Sequence, residues 1–258
     1  MSTPPLLNYT HAIVRPPGDS FRRAINETGQ SPDPLNALRQ HAEYCQALQT
    51  AGLELEILPP DERFPDSCFM QDPGLIIAGQ AIIGRMGAPS RQGEEIALAQ
   101  VLAGRFPMDQ IGSPATLEGG DILVLPEGIF VGLTARTNQA GVNQLEQILA
   151  PTGLSVTGVP VEKYLHLLSG ATYLGRGVFL AREDFLDDPF MAGKDAIRVP
   201  AEHAHAANAL GIGNNVIMPS GHPSVSAEIR ARGFDVLETP LTEFAKADGG
   251  ATCLSLVW

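Results

Sequence analysis

Cysteine is scarce in this sequence. Three thiols, Cys45, Cys68 and Cys253, lie far apart, odd in number and without a C-x-x-C pair, which excludes a disulfide framework or a zinc ribbon and points to a reducing compartment. Basic residues are also few, 17 Lys and Arg against 29 Asp and Glu, for a net charge of −12. Such a surface repels phosphates and attracts cations, so neither nucleic acid nor an anionic membrane is expected as a partner. No apolar run reaches the eighteen or so residues of a membrane span, and Met1 to Thr10 lacks a basic stretch followed by an apolar one. A cytoplasmic protein is expected. Nothing resembles a long linker, so residues 1–258 read as one domain with a substantial core.

What is present is a repeat. Apolar strand pairs around short turns occur at 74–84 (with a Gly79-Gln80 turn), 121–132, 171–181 and 208–218. Helical spacing follows several of them, at about Gln92 to Leu102, Asn138 to Leu149 and Ser224 to Arg232, and a strand is expected at Phe234 to Leu237. Ahead of the first pair, His11 to Arg15 reads as a strand. Leu35 to Ala51 reads as a helix with Leu35, Leu38, Ala42, Cys45 and Leu48 facing the core, and Leu53 to Leu58 as another strand. The segment from Asp19 to Pro34 reads as a mobile loop, and Gly18 to Asp33 as a lid. Pairing the C-terminal strand Thr252 to Val257 with the N-terminal one would make a fifth unit. A unit recurring about every fifty residues predicts an α/β propeller of five pseudo-symmetric blades with adjacent termini.

The ends of these units carry chemistry. Glu118-Gly119-Gly120-Asp121 sets two carboxylates around a turn entering a strand, His166 lies inside an apolar segment, and Gly249-Gly250 leads into Cys253. Singly, each has a bland explanation: turn chemistry, a hydrogen-bonded core histidine, a buried cysteine. Together they supply a thiol, an imidazole and a carboxylate, the set needed for nucleophilic catalysis with an oriented base.

The blocks Asp61-Glu-Arg-Phe-Pro-Asp-Ser-Cys-Phe-Met-Gln-Asp72, Glu118-Gly-Gly-Asp121, Ala135-Arg-Thr-Asn138, His166 and Asp248-Gly-Gly-Ala-Thr-Cys253 resemble, in order and nearly end to end, those of the dimethylarginine dimethylaminohydrolases, of the pentein superfamily of guanidino-modifying enzymes. The resemblance implies a five-bladed ββαβ propeller. It also implies hydrolysis of asymmetric dimethylarginine or monomethylarginine to citrulline and an amine through a covalent thiouronium, with no metal or organic cofactor. In that reading Cys253 is the nucleophile, His166 the general acid and base, and Glu118 the carboxylate holding the imidazole. Asp72 binds the guanidinium, Asp66 the α-ammonium, and Arg91 and Arg136 the α-carboxylate. Carboxylates suit a planar fork of N–H donors, and arginine forks suit the opposite end of the substrate.

Two departures bear on substrate preference. Gln71 stands where an acid is expected beside Asp72, and His166-Leu167-Leu168 lacks the aspartate with which arginine deiminases grip an unsubstituted guanidinium, which favours methylated substrates. The competing readings are a deiminase-like hydrolase, an amidinotransferase acting on another guanidino compound, a zinc protein using His203 and His205 as if on one strand face, and a non-catalytic binding module. A homodimer through a flat propeller face is a further expectation.

Overall fold

All four hairpins form, and each is completed by a third strand lying parallel to its second. The chain is described by a computed structural model over residues 7–26 and 29–258. β1 (His11–Val14), α1 (Pro34–Thr50) and β2 (Glu54–Ile57) begin the chain. The second blade is β3 (Gly74–Ile77), β4 (Gln80–Ile83), α2 (Glu94–Leu102) and β5 (Met108–Gln110). The third is β6 (Ile122–Leu125), β7 (Gly128–Leu133), α3 (Gln139–Leu149) and β8 (Val156–Pro160). A short helix α4 (Leu167–Gly170) leads into β9 (Ala171–Gly175), β10 (Val178–Arg182) and β11 (Asp195–Val199). This fourth blade crosses over through 3-10 turns, where the second and third use a helix. β12 (Leu210–Ile212), β13 (Asn215–Pro219), α5 (Pro223–Ala231) and β14 (Asp235–Thr239) make the fifth blade, and β15 (Ser255–Val257) returns to the start.

Closure occurs as expected from the termini. β1 pairs antiparallel with β15 and parallel with β2, so the first blade draws its strands from both ends of the chain. Residues from the first strands of the sheets, β3, β6, β9, β12 and β15, together line one axial cavity. That is the architecture of a five-bladed propeller, each blade a ββαβ unit or its helix-free equivalent.

Local chemistry explains the elements. The β3–β4 turn is Ala78-Gly79, both at positive φ (51° and 76°), with Gln80 already paired to Ile77, so the expected Gly-Gln turn lies one residue earlier. Asp33 caps α1 by accepting from the Leu35 N–H, with Pro34 at the first helical position. The face of α1 differs from expectation: Leu35, Leu38 and Ala42 are exposed, while Ala37, Gln40, His41, Tyr44, Cys45 and Leu48 are buried. Gln40 donates to Thr242 Oγ1 and accepts from the Glu243 N–H, which offsets the cost of burying its amide.

Tyr44 ties this helix to the C-terminal loop. Fully buried, its hydroxyl contacts Ala251 O at 2.8 Å and Ser255 Oγ at 2.7 Å, on either side of Cys253. Tyr44→Phe leaves both partners buried, so a loss of about 1–3 kcal/mol is expected in urea unfolding.

The loop expected to be mobile is pinned over residues 18–26. The N–H groups of Asp19 and Ser20 donate to Glu62 (2.8 and 2.7 Å), and Phe21 is fully buried against Phe69 and Phe244. The expected lid also includes residues 27 and 28, which lie outside the described residues.

Candidate active site

Each blade delivers one side chain to the same end of the axis, just ahead of its first strand. Asp72 precedes β3, Glu118 precedes β6, His166 precedes β9, Asn208 precedes β12 and Cys253 precedes β15. A small cleft is bordered by Cys253, His166, Asp72, Asp66, Arg91 and Arg136, with Glu118 behind the imidazole. The seven residues singled out from the sequence therefore meet in one place.

Two glycine pairs make this possible. A Cβ on Gly120 would sit 2.7 Å from His166 Nδ1 and 2.9 Å from Asp72 Oδ1, and one on Gly119 would overlap the Gln71 carbonyl. Side chains on Gly249 and Gly250 would overlap Phe69 and Asn208. Asp248, just before them, holds φ at 57°, a strained conformation for a residue other than glycine.

His166 Nε2 lies 2.8 Å from Glu118 Oε2, and Glu118 is wholly buried, with Oε1 accepting from the Gly87 N–H at 2.9 Å. Burial works against the charge of both, but it loses. Asp72, the Glu118 hydrogen bond and the nearby Asp121 hold the imidazole up at about 9, while His166, Arg91 and Arg136 hold Glu118 down at about 2. At neutral pH the pair is an imidazolium and a carboxylate. Cys253 behaves in the opposite sense: burial first, then the Asp72 charge, push its thiol up to about 11, although the Gly250 N–H points at the sulfur from 3.4 Å. Its resting form is the thiol.

Arg91 is fixed by two buried carboxylates: Nη1 to Asp72 Oδ2 at 2.7 Å, and Nη2 to Glu94 Oε2 at 2.8 Å, with Nε also on Glu94. This leaves two buried polar atoms at the cleft without a hydrogen bond, Asp72 Oδ1 and Arg136 Nη1. One is an acceptor for a cation, the other a donor for an anion. Asp66 accepts from the Ile25 N–H at 3.1 Å. Ligand oxygens and nitrogens of Asp72, Glu118 and His166 lie within 4.8 Å of one another, a spacing that could hold a metal. Arg91 and Arg136 beside them, and the proton on His166, already balance those carboxylates, so the set suits proton chemistry better.

Asn208 was missed by sequence reasoning. Buried, it accepts at Oδ1 from the Thr252 N–H (2.8 Å) and hydroxyl (3.0 Å), and its Nδ2 points at Cys253 Sγ from 3.8 Å. An asparagine before a strand reads as turn chemistry. The signal that could have found it is the repeat: it stands two residues before its strand, as Asp72 and Cys253 do before theirs. Asn208→Asp puts an anion where that donor stands, so the Cys253 thiol should titrate higher. Alkylation by iodoacetamide at pH 8 is expected to slow by about tenfold or more, a fraction of what one charge at 4 Å can supply.

Gln71 and Leu168, the two departures that bear on preference, both border the axial cavity. Gln71 nonetheless touches the site through its backbone, its N–H donating to the Cys253 carbonyl at 3.1 Å. His203 and His205 lie on a 3-10 turn (Ala201–Ala207), not on a strand as the zinc reading supposed.

With this geometry in view, comparison with known proteins gives a consistent answer. The family model for eukaryotic N,N dimethylarginine dimethylhydrolase matches residues 15–256. A dimethylarginine dimethylaminohydrolase of Pseudomonas aeruginosa is 39% identical over 251 residues, 96% of this chain and 99% of that protein. The chain belongs to the dimethylarginine dimethylaminohydrolase family. A structure of the Pseudomonas aeruginosa enzyme, a cysteine-to-serine variant in complex with citrulline, superposes with a TM-score of 0.95 at 38% identity, covering 98% of this chain and 100% of the other. Another family structure, a histidine-to-glycine variant carrying an adduct with S-methyl-L-thiocitrulline, gives 0.94 at the same identity, over 97% and 100%. The N-terminal domain of the arginine dihydrolase ArgZ, at 23% identity and 0.83, shares the fold. Among the described residues no helix is long and apolar enough to cross a membrane.

Proposed function

We propose that this chain hydrolyses Nω-methylated arginines to citrulline and the corresponding methylamine, with Cys253 as nucleophile, His166 as general acid and base, and Glu118 orienting the imidazole. The observation that carries this reading is the unpaired Asp72 Oδ1, buried in the same cleft as a protonated thiol and a carboxylate-held imidazolium. A guanidinium is a cation made of planar donors, and it satisfies that oxygen. Nη1 of Arg136, which makes no hydrogen bond and lies 3.8 Å from Glu118 Oε1, receives the α-carboxylate with the remaining N–H groups of Arg91, and Asp66 receives the α-ammonium.

The bound cation also activates the thiol. A unit charge about 4 Å from the sulfur is worth about 4 kcal/mol at an effective dielectric of 20, roughly a thousandfold toward thiolate. The thiol proton leaves to solvent, and the thiolate attacks the guanidinium carbon. His166, whose Nε2 is held by Glu118, gives the proton on Nδ1 to the departing amine and becomes neutral. It then takes a proton from water, which attacks the thiouronium carbon, and Cys253 leaves as citrulline forms.

A citrulline assay on purified protein with asymmetric dimethylarginine, monomethylarginine and arginine tests the reading. Turnover of the methylated substrates at ten times or more the kcat/KM of arginine is expected. Turnover of arginine alone would make the chain a deiminase.

The pH profile gives a second check. Asp121, buried, accepts from the Leu167 N–H (2.9 Å) and the Thr134 hydroxyl (2.8 Å), and burial lifts it to about 6, so it is ionised above neutrality. Its charge helps keep His166 protonated. The acid role of His166 requires that proton, so kcat should fall as pH rises through about 9. Asp121→Asn removes the charge and keeps the shape, and the falling limb should move to lower pH.

A further inference from the structure

Three of the chain's six histidines gather away from the cleft, on the outer side of the loop that leads to Cys253. His203 and His205 come from the 3-10 turn after β11, and His222 from the residue ahead of α5. His203 Nδ1 and His222 Nδ1 face each other at 3.1 Å, with their rings nearly perpendicular at 5.2 Å. The His205 ring stands 6.4 Å from that of His222. Its Nε2 lies 2.8 Å from the Gly249 carbonyl, which fixes that nitrogen as a donor and leaves Nδ1 with its lone pair.

We infer that His203 and His222 form a chelating site for a divalent transition cation of the zinc, nickel and copper class, with His205 flanking it. Two imidazole nitrogens bound to one ion at 2.0–2.1 Å lie about 3 to 3.4 Å apart, and the pair is already at that spacing. Without an ion, the contact needs one ring to carry its proton on Nδ1. With one, that proton moves to Nε2 of the same ring and both lone pairs turn to the metal, so nothing is released. Imidazole suits these cations and not magnesium or calcium. His205, held to the Gly249 carbonyl, stands beside the pair and limits how the His222 ring can turn. Water completes the coordination, and the net charge of −12 favours cation approach. Sequence spacing had put only His203 and His205 together; the missing partner was 19 residues from His203, brought in by the fifth blade.

The test is made in Cys253→Ser protein, so that the cleft thiol cannot compete. Zinc is titrated by calorimetry and cobalt followed optically. One equivalent should bind, with cobalt bands that lack a sulfur-to-metal transition. His203→Ala and His222→Ala should each weaken zinc binding by about tenfold or more, with the apo protein's melting temperature little changed; His203→Gln and His222→Gln stand in if an alanine variant misfolds. The inference is overturned if both variants bind zinc within twofold of the parent. It is equally overturned if Asp72→Asn abolishes binding, since the ion would then sit among Asp72, Glu118 and His166.

Discussion

Replacing Cys253 with serine is expected to lower citrulline formation by about 10⁴-fold or more while leaving ligand binding nearly intact. Losses of that size follow when a nucleophile that acts as part of a unit is removed, because the remaining groups have nothing to activate. The serine hydroxyl is far more basic than the thiol. The thousandfold help that the substrate's charge gives the thiol toward ionisation leaves an alcohol almost wholly protonated, and His166 cannot take its proton because it is itself an imidazolium at neutral pH. In the proposed reading binding rests on Asp72, Asp66, Arg91 and Arg136, while the sulfur's contacts are Asn208, Gly250 and Thr252. Calorimetry with dimethylarginine should separate the two effects. The bound charge lowers the thiol from about 11 to about 8, so the parent with a slow substrate should release about a tenth of a proton per ligand at pH 7 and a larger fraction as pH rises through about 8, seen as a dependence on buffer ionisation heat, and the serine variant none. A serine variant that keeps more than about one per cent of the parent rate would remove Cys253 from the role of nucleophile.

The strands and their order could be read from the sequence because their information is local. Apolar runs broken by Gly-containing turns specify hairpins, and the repeat of hairpins specifies blades. The residues of the cleft were readable for a related reason: unusual polar groups sit at equivalent places in successive units. What could not be read depends on partners distant in sequence. The Leu35 and Leu38 positions suggested one helix face, yet Gln40 and Tyr44 are buried instead, since Thr242, Glu243, Ala251 and Ser255 accept or supply their hydrogen bonds. Periodicity scores a glutamine as polar and cannot know that a partner waits 202 residues away. Gly18 to Asp33 looked like a free loop for the same reason, because Glu62 and Asp66 hold its backbone from another segment. Gln71 and Leu168 looked like substrate contacts from their neighbours in sequence, but the turn before β3 and the short helix α4 set them at the axial cavity.

His166→Gly should divide the reaction at its covalent intermediate. In the proposed mechanism two proton transfers depend on the imidazole: one to the leaving amine, one from the attacking water. Dimethylamine is a poor leaving group without a proton, so dimethylarginine turnover should fall by about 10³-fold or more. An isothiourea analogue whose leaving group is a thiol needs no such help, because the thiolate departs unaided at neutral pH. With that analogue the variant should still form the thiouronium on Cys253 and then stop, since nothing activates water for the second step. Intact-mass measurement should show one adduct per chain that persists, where the parent clears it and turns over. Room for the adduct is preserved, because the substitution removes a ring from the cleft and leaves Asp72 and Arg136 in place. Adding free imidazole should restore part of the second step at pH 7, at which it is partly unprotonated, and the restored rate should rise with pH through its own ionisation. A variant that releases citrulline from the analogue as fast as the parent would show that water is activated by another group, with Asp72 and Glu118 then the buried carboxylates to consider.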